Sequence, residues 1–196
     1  VAMGRSVAGY HQSARVGRLR QYGIPPCRFS PESEEATGDH MRNLHRTVIS
    51  AANDIVSFRT DFCLIHLGTE EHIGYPTDPM SPQNLAHLAF SDQALGMLLE
   101  TLSLFGLFGQ YHILVTGDCG SGMMSEGAAR VRRTVPWVAF GPRIARGHRI
   151  TERVSILDTA PTIARIMELP QLPSWDGRVV EEIMLRGKRT PLGKVA

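Results

Sequence analysis

Residues 111–142, YHILVTGDCGSGMMSEGAARVRRTVPWVAFGP, decide how this chain is expected to fold. The segment opens with a short apolar run that ends abruptly in Gly117-Asp118-Cys119-Gly120, a pattern typical of a buried strand that delivers an acidic residue to a loop. A second apolar run over residues 135–140 follows the glycine-rich loop and stops at Gly141-Pro142. Ligands and metals bind at the carboxyl ends of strands in α/β proteins, so Asp118 is expected at a functional edge of the sheet.

The flanking segments alternate between helical and strand patterns. Residues 39–57 carry apolar side chains at helical spacing. Residues 62–67 are apolar on both faces, as in a central parallel strand. Ser81-Pro82 has the chemistry of a helix start, and Asp158 can cap a later helix that has a proline in its first turn. This alternation predicts an α/β fold, with a mostly parallel sheet and flanking helices.

The long helix that begins at Ser81 is expected to end near Phe105. Helical spacing predicts that eight of its side chains face the core. They are Leu85, Leu88, Ala89, Asp92, Leu95, Leu98, Leu99 and Leu102.

Composition and charge suggest how the chain is divided. The 196 residues are 42% hydrophobic and 20% charged, which is typical of a globular protein with one substantial core. Residues 1–31 contain five arginines and no acidic residue, and residues 23–38 are rich in proline, serine and glutamate. We therefore predict a basic arm and loop over residues 1–38, an α/β domain over 39–185 and a basic tail over 186–196.

Charge and cysteine content also bear on partners and compartment. The net charge of +2 favours neither nucleic acid nor an anionic membrane surface, so no nucleic-acid partner is expected. No apolar stretch approaches the length of a membrane span. Cys27, Cys63 and Cys119 are an odd number without metal-type spacing, which favours an intracellular reducing compartment. The acid-free start is compatible with a mitochondrial presequence or with a basic arm packed on a partner or on the domain itself.

Five segments, taken in order, resemble the C-terminal half of the alkaline phosphatase superfamily, especially its sulfatase, type I phosphodiesterase and phosphopentomutase-like branch. They are residues 61–67, 81–106, 113–120, 134–142 and 154–178. The third is similar to a strand that ends in Thr-x-Asp-His-Gly, and the fourth to a Val-Pro-x-x-x-x-Gly-Pro strand. The last contains an Asp-x-x-Pro-Thr-Ile helix followed by Asp-Gly-Arg. The resemblance implies a partial alkaline-phosphatase-like fold.

The resemblance also implies a site for two zinc or manganese ions that hold a phosphate or sulfate ester. Glu71 takes the position of the aspartate in the family's first metal loop, and Asp118 matches a metal aspartate. Cys119 stands where the family has histidine, and a thiolate binds zinc well. The metal ligands that the resemblance implies are therefore Glu71, Asp118 and Cys119, with His72 as a further candidate.

Other family histidines have no counterpart. Tyr75 stands at the histidine of the first loop, and neither Ser125 nor Glu126 is an imidazole at the last one. No segment before residue 45 resembles the strand that carries the family's first aspartate and nucleophile, so no catalytic residue is assigned. We therefore expect a catalytically degenerate domain with a structural or protein-binding role. Half a sheet leaves an edge or face uncovered, which predicts other protein chains in a homo- or hetero-oligomer.

Two other functions stay open. The chain could be a metal-dependent phosphoric or sulfuric ester hydrolase with the altered ligand set. Alternatively, it could bind an anion through Arg130, Arg132 and Arg133. His66 and His112 lie on buried strands and are expected to be structural histidines with satisfied hydrogen bonds.

Overall fold

The computed structural model describes residues 5–11, 27–30, 40–67, 80–117, 134–185 and 194–195. Within these residues it contains six strands and three α-helices. In chain order they are β1 (Val7–His11), β2 (Cys27–Ser30), α1 (His40–Phe58), β3 (Phe62–His66), α2 (Pro82–Leu104), β4 (Tyr111–Thr116), β5 (Trp137–Phe140), α3 (Thr159–Ile166) and β6 (Lys194–Val195). Short 3-10 turns cover Phe108–Gln110, Ile156–Asp158 and Glu181–Ile183.

The chain divides into two compact units. The described residues up to Phe108 belong to the first unit and those from Gly109 onward to the second. No helix in the described ranges is long and apolar enough to cross a membrane.

The sheet of the first unit is parallel, with β1 between β2 and β3. Val7 pairs with Cys27 on one side and with Phe62 on the other. Just before β1, the backbone N–H and the hydroxyl of Ser6 both donate to the carboxylate of Asp61, at 2.9 and 2.8 Å. The sequence places residues 1–38 in an arm and loop outside the α/β domain, whereas the structure puts two strands from this stretch into the sheet.

Helix α1 covers one face of this sheet. Its core side chains are fully or almost fully buried. They are Leu44, Val48, Ala51, Ala52 and Ile55. On the sheet, the alternate residues Ala8, Tyr10 and Cys63 are buried, and the Tyr10 hydroxyl donates to Asp54 of α1. The predicted helix over residues 39–57 is therefore confirmed, with bounds of His40–Phe58.

Helix α2 begins as predicted but turns a different side inward. The Ser81 hydroxyl accepts a hydrogen bond from the Asn84 N–H at 3.3 Å, and Pro82 occupies the first helical position. The buried residues are Asn84, Ala94, Leu98 and Leu102. Four of the eight residues expected to face inward are exposed, namely Leu85, Leu88, Ala89 and Asp92. Apolar side chains surround this helix on most sides, so spacing alone did not identify the side that packs.

The second unit is built around β4, which pairs in parallel with β6 and antiparallel with β5. The first three residues of β4 are all buried, so both faces of the strand are covered there. Helix α3 buries Pro161, Thr162, Ala164 and Ile166. The predicted α/β class, with parallel strands and flanking helices, is confirmed, and β5 adds an antiparallel strand.

Candidate functional site

The residues that the sequence predicts as metal ligands lie outside the described residues. These ligands are Glu71, His72, Asp118 and Cys119. The three arginines of the possible anion site also lie outside the described residues. The ligand set therefore stays a prediction. The structure does describe the strand ends that precede these residues and the packing of the other family-like segments.

Strand β4 ends at Thr116, directly before the Gly117-Asp118 pair. Its last residue, Thr116, pairs with Trp137 of β5, and Gly117 is half-buried directly after the strand. The prediction that a buried strand leads into Asp118 is thus confirmed as far as Gly117. The carboxyl end of a strand is where an α/β protein holds its ligands.

The Gly-Pro at the end of β5 has a packing role. Gly141 has a φ of +148°, which side chains rarely allow. A Cβ atom there would lie 2.7 Å from the Cα of His112 and 2.8 Å from its ring. Glycine is therefore required for β5 to leave the sheet this close to β4. At the other end of β5, the Trp137 indole donates to the Thr159 hydroxyl at 3.0 Å.

His112 is a structural histidine, as predicted. It is fully buried on β4, and its Nε2 accepts the backbone N–H of Arg143 at 3.2 Å. The Arg143 guanidinium donates to the Ile166 carbonyl and to the Glu168 carboxylate, the latter at 3.0 Å. These bonds connect β4 to the end of α3 and satisfy buried backbone groups.

Asp158 joins two of the family-like motifs. Its carboxylate is almost fully buried and accepts the N–H of Ser155 at 2.8 Å and the N–H of Arg178 at 2.9 Å. With Ser155 it forms a capping box around the turn Ile156–Asp158. The prediction that Asp158 caps the helix is therefore wrong for its side chain, which makes no cap hydrogen bond to α3 and caps the preceding turn instead.

Gly177 and Thr162 complete what we call the Asp158 cluster, which consists of Ser155, Asp158, Thr162, Gly177 and Arg178. A Cβ atom on Gly177 would lie 2.0 Å from the carbonyl oxygen of Leu157. The buried Thr162 hydroxyl donates to the Asp158 carbonyl at 2.7 Å and accepts the Val180 N–H at 3.0 Å. The Asp-x-x-Pro-Thr-Ile and Asp-Gly-Arg motifs therefore act together as one packing unit.

A second carboxylate cluster, at Glu182, has no motif in the sequence that predicts it. Its oxygens accept the Thr151 N–H, the Thr151 hydroxyl and the Glu152 N–H, each at 3.1 Å. The His148 ring lies 3.1 Å away. These hydrogen bonds, the Thr151 N–H foremost, lower the pKa of Glu182 to about 2, although desolvation acts in the opposite direction. Proximity in the fold creates this cluster, since the partners lie about 30 residues apart.

The described part of the chain contains no group of three or more histidine, cysteine, aspartate or glutamate side chains that could hold a metal ion. It does bring two histidines into register, because His11 and His66 are paired residues at the carboxyl ends of β1 and β3. The sequence predicted His66 as a satisfied structural histidine. In the structure, its Nδ1 is buried and has no hydrogen-bond partner among the described residues.

Comparison with known proteins gives one sequence match and several fold matches. No family model matches the chain. The sequence is 31% identical over 98 residues to Arylsulfatase K from Xenopus laevis, which covers 44% of this chain and 18% of that protein.

The fold is similar to that in the crystal structure of Ps i-CgsB in complex with k-i-k-neocarrahexaose, with a TM-score of 0.62 and 15% identity. This match covers 89% of the present chain and 53% of the other. Another crystal structure of Ps i-CgsB gives a TM-score of 0.55 at 14% identity, with the same coverage. The chain thus spans about half the length of these neighbours and less than a fifth of the curated relative.

Proposed function

We propose that this chain, an alkaline-phosphatase-like α/β protein whose sequence is similar to part of an arylsulfatase, is catalytically degenerate and acts as a structural or protein-binding domain. One observation carries the proposal. The family-like residues that the structure describes serve packing: Gly141 lies against His112, and the Asp158 cluster joins α3 to the terminal segment. At the positions where the family has metal-binding histidines, by contrast, this sequence has Tyr75, Cys119 and, at the last one, Ser125 or Glu126.

The chemistry of the substituted positions supports the loss of catalysis. A tyrosine phenol has a pKa of about 10, so Tyr75 is a poor zinc ligand at neutral pH. Cys119 could bind zinc as a thiolate, but a site that also lacks the last histidine would hold a pair of ions weakly. No residue of this sequence is matched to the family's nucleophile, the group that attacks the ester in the covalent step.

Exposed apolar side chains support a binding role. Leu64 on β3 is 41% exposed, whereas its neighbour Cys63, on the opposite face, is 4% exposed. In the second unit, Val138 on β5 is 52% exposed. Parallel sheets normally bury both faces, so the exposed Leu64 leaves apolar surface on β3 that another protein chain could cover. Val138 adds an exposed apolar side chain on the antiparallel strand β5.

Ester hydrolysis by the purified chain tests the loss of catalysis. The chain is incubated with an aryl sulfate and with a bis-aryl phosphate, in the presence of zinc or manganese. We expect turnover no higher than that of the Asp118→Ala variant under the same conditions. Turnover that disappears in Asp118→Ala would show that the site is active and the proposal wrong.

The second candidate is a metal-dependent phosphoric or sulfuric ester hydrolase that uses Glu71, Asp118 and Cys119. The sequence similarity to an arylsulfatase favours it. Metal analysis separates the two functions. Stoichiometric zinc or manganese in the purified protein that is lost in Cys119→Ser would support the hydrolase, whereas a wild-type protein without bound metal would support the degenerate domain.

A further inference from the structure

We propose that the loop over residues 144–153, in the second unit, binds an acidic segment of a partner protein. The proposal rests on the protein-binding role proposed above, and it names a surface for that role and the chemistry of the partner. The loop follows β5 and contains three arginines, Arg146, Arg149 and Arg153. It includes none of the predicted metal ligands.

Both ends of the loop are bound to the segment around Glu182. Near its start, the Ala145 N–H donates to the Ile183 carbonyl at 2.8 Å. Near its end, the Glu182 carboxylate accepts the N–H groups of Thr151 and Glu152, each at 3.1 Å. A binding segment that is already fixed in this way loses less conformational freedom when a partner binds.

Between these bonds the loop turns at Gly147. This residue has a φ of +67°, a conformation that glycine adopts without strain. Arg146 and Arg149 lie on either side of the turn, and both are exposed, as is Arg153.

The acidic groups that contact the loop are already engaged. Glu182 binds the loop backbone, and the His148 ring lies 3.1 Å from its carboxylate. Glu152 forms an ion pair with Arg178 at 2.9 Å. By contrast, the guanidinium groups of the three loop arginines have no hydrogen bond or ion pair with any residue that the structure describes. The loop therefore carries three positive charges that its surroundings do not neutralise.

The chemistry of the loop favours carboxylates of a protein. A guanidinium group binds a carboxylate through two parallel hydrogen bonds. DNA complexes rely on more contacts, on the order of 6–10 phosphates, and the loop has no phenylalanine, tyrosine or tryptophan on which a base could stack. Lipid-binding clusters contain about 4–8 basic residues. Leu185, whose N–H donates to the Arg143 carbonyl just before the loop, is 54% exposed and adds an apolar contact that suits a peptide.

Binding of an acidic peptide to the full chain tests the surface. The probe is a fluorescent oligoglutamate peptide, and its affinity is measured by anisotropy at low and at physiological salt. We expect saturable binding that is about three- to thirtyfold weaker in Arg146→Gln/Arg149→Gln, since each exposed ion pair contributes modestly. Added salt should weaken binding by the parent chain, because it screens exposed charges.

Two further variants separate the loop from general charge. Arg46→Gln/Arg59→Gln is the matched control, because it removes two positive charges from exposed arginines of the first unit and should bind like the parent. Arg146→Lys/Arg149→Lys keeps both loop charges and should bind more tightly than the glutamine variant of the loop.

Three results would overturn the surface: no saturable binding by the parent, an equal loss in the two glutamine variants, or tighter binding of an oligonucleotide with the same charge as the peptide. Ester turnover that depends on Asp118 would refute the proposed loss of catalysis and leave peptide binding by the loop unchanged. Absence of peptide binding would refute this surface and leave that loss of catalysis standing. The two proposals therefore fail separately.

Discussion

Gly177 lies so close to the carbonyl group of Leu157 that the backbone leaves no room for a Cβ atom, which would be 2.0 Å from the carbonyl oxygen. The next residue, Arg178, donates its N–H to the buried carboxylate of Asp158. A side chain at position 177 would therefore displace the Arg178 N–H. Among the described hydrogen bonds, this N–H is the one donor from the terminal segment that reaches the Asp158 carboxylate.

Gly177→Ala is expected to lower the free energy of unfolding by about 2–4 kcal/mol, because it adds steric strain and leaves a buried acceptor short of a donor. Urea denaturation followed by circular dichroism measures the loss. Gly109→Ala is the matched control, since a Cβ atom at Gly109 would meet nothing within 4 Å. Equal stability of the two variants would mean that the close contact at Gly177 is not required.

The Glu182 carboxylate predicts a pH dependence. Its pKa falls from 4.5 to about 2 in the folded chain because backbone and side-chain groups donate to it. A carboxyl group with a lowered pKa stabilises the fold above its unfolded pKa, and that stability is lost as the pH falls through the folded pKa. The contribution of Glu182 should therefore be complete above pH 4.5 and should disappear between about pH 4.5 and pH 2.

Melting temperatures of the parent chain and of Glu182→Gln, measured from pH 7 to pH 2, test this expectation. The parent should melt higher at pH 7, and the difference should shrink across the stated range. Glu181→Gln controls for the change in charge, because the Glu181 carboxylate pairs with the exposed Arg165. A difference that stays constant down to pH 2 would contradict the role of the Glu182 carboxylate.

At the scale of elements, local sequence signals predict where the strands and helices begin and end. They predict less well which face of each element is buried. Ser81 and Pro82 start α2 as predicted, and β4 ends where the Gly-Asp pair begins. The inner face of α2 differs from the predicted one, since contact with α1 selects that face from a helix with apolar residues on most sides.

Alanine substitutions on α2 distinguish the two faces. Leu98→Ala should lower the free energy of unfolding by about 2–5 kcal/mol, because Leu98 is 3% exposed and its removal leaves a cavity. Leu88→Ala, at a side chain that is 59% exposed, should change it by less than about 0.5 kcal/mol. Chemical denaturation of both variants gives the comparison. A larger effect at Leu88 would support the face predicted from spacing.

At the scale of the whole molecule, the proposed binding role predicts association. The chain should be a dimer or larger at micromolar concentration, and Leu64→Lys should shift it toward monomer by placing a charge on the exposed face of β3. Light scattering after size-exclusion chromatography measures the mass. Leu172→Lys, at a loop side chain that is 51% exposed, is the control. A monomeric parent chain would refute self-association, and an unchanged mass in Leu64→Lys would exclude β3 from the interface.

The sequence by itself determined the α/β class, the order of the family-like motifs and the strand that leads into Asp118. These features depend on residues close together in the chain, such as glycines at strand ends and helix-starting serine and proline. Only the tertiary structure decided the placement of β1, the buried face of α2 and the pairing of His11 with His66. Each of these depends on a contact with a distant segment, as with Ser6 and Asp61, which are 55 residues apart. Local spacing carries no information about which distant residues will become neighbours.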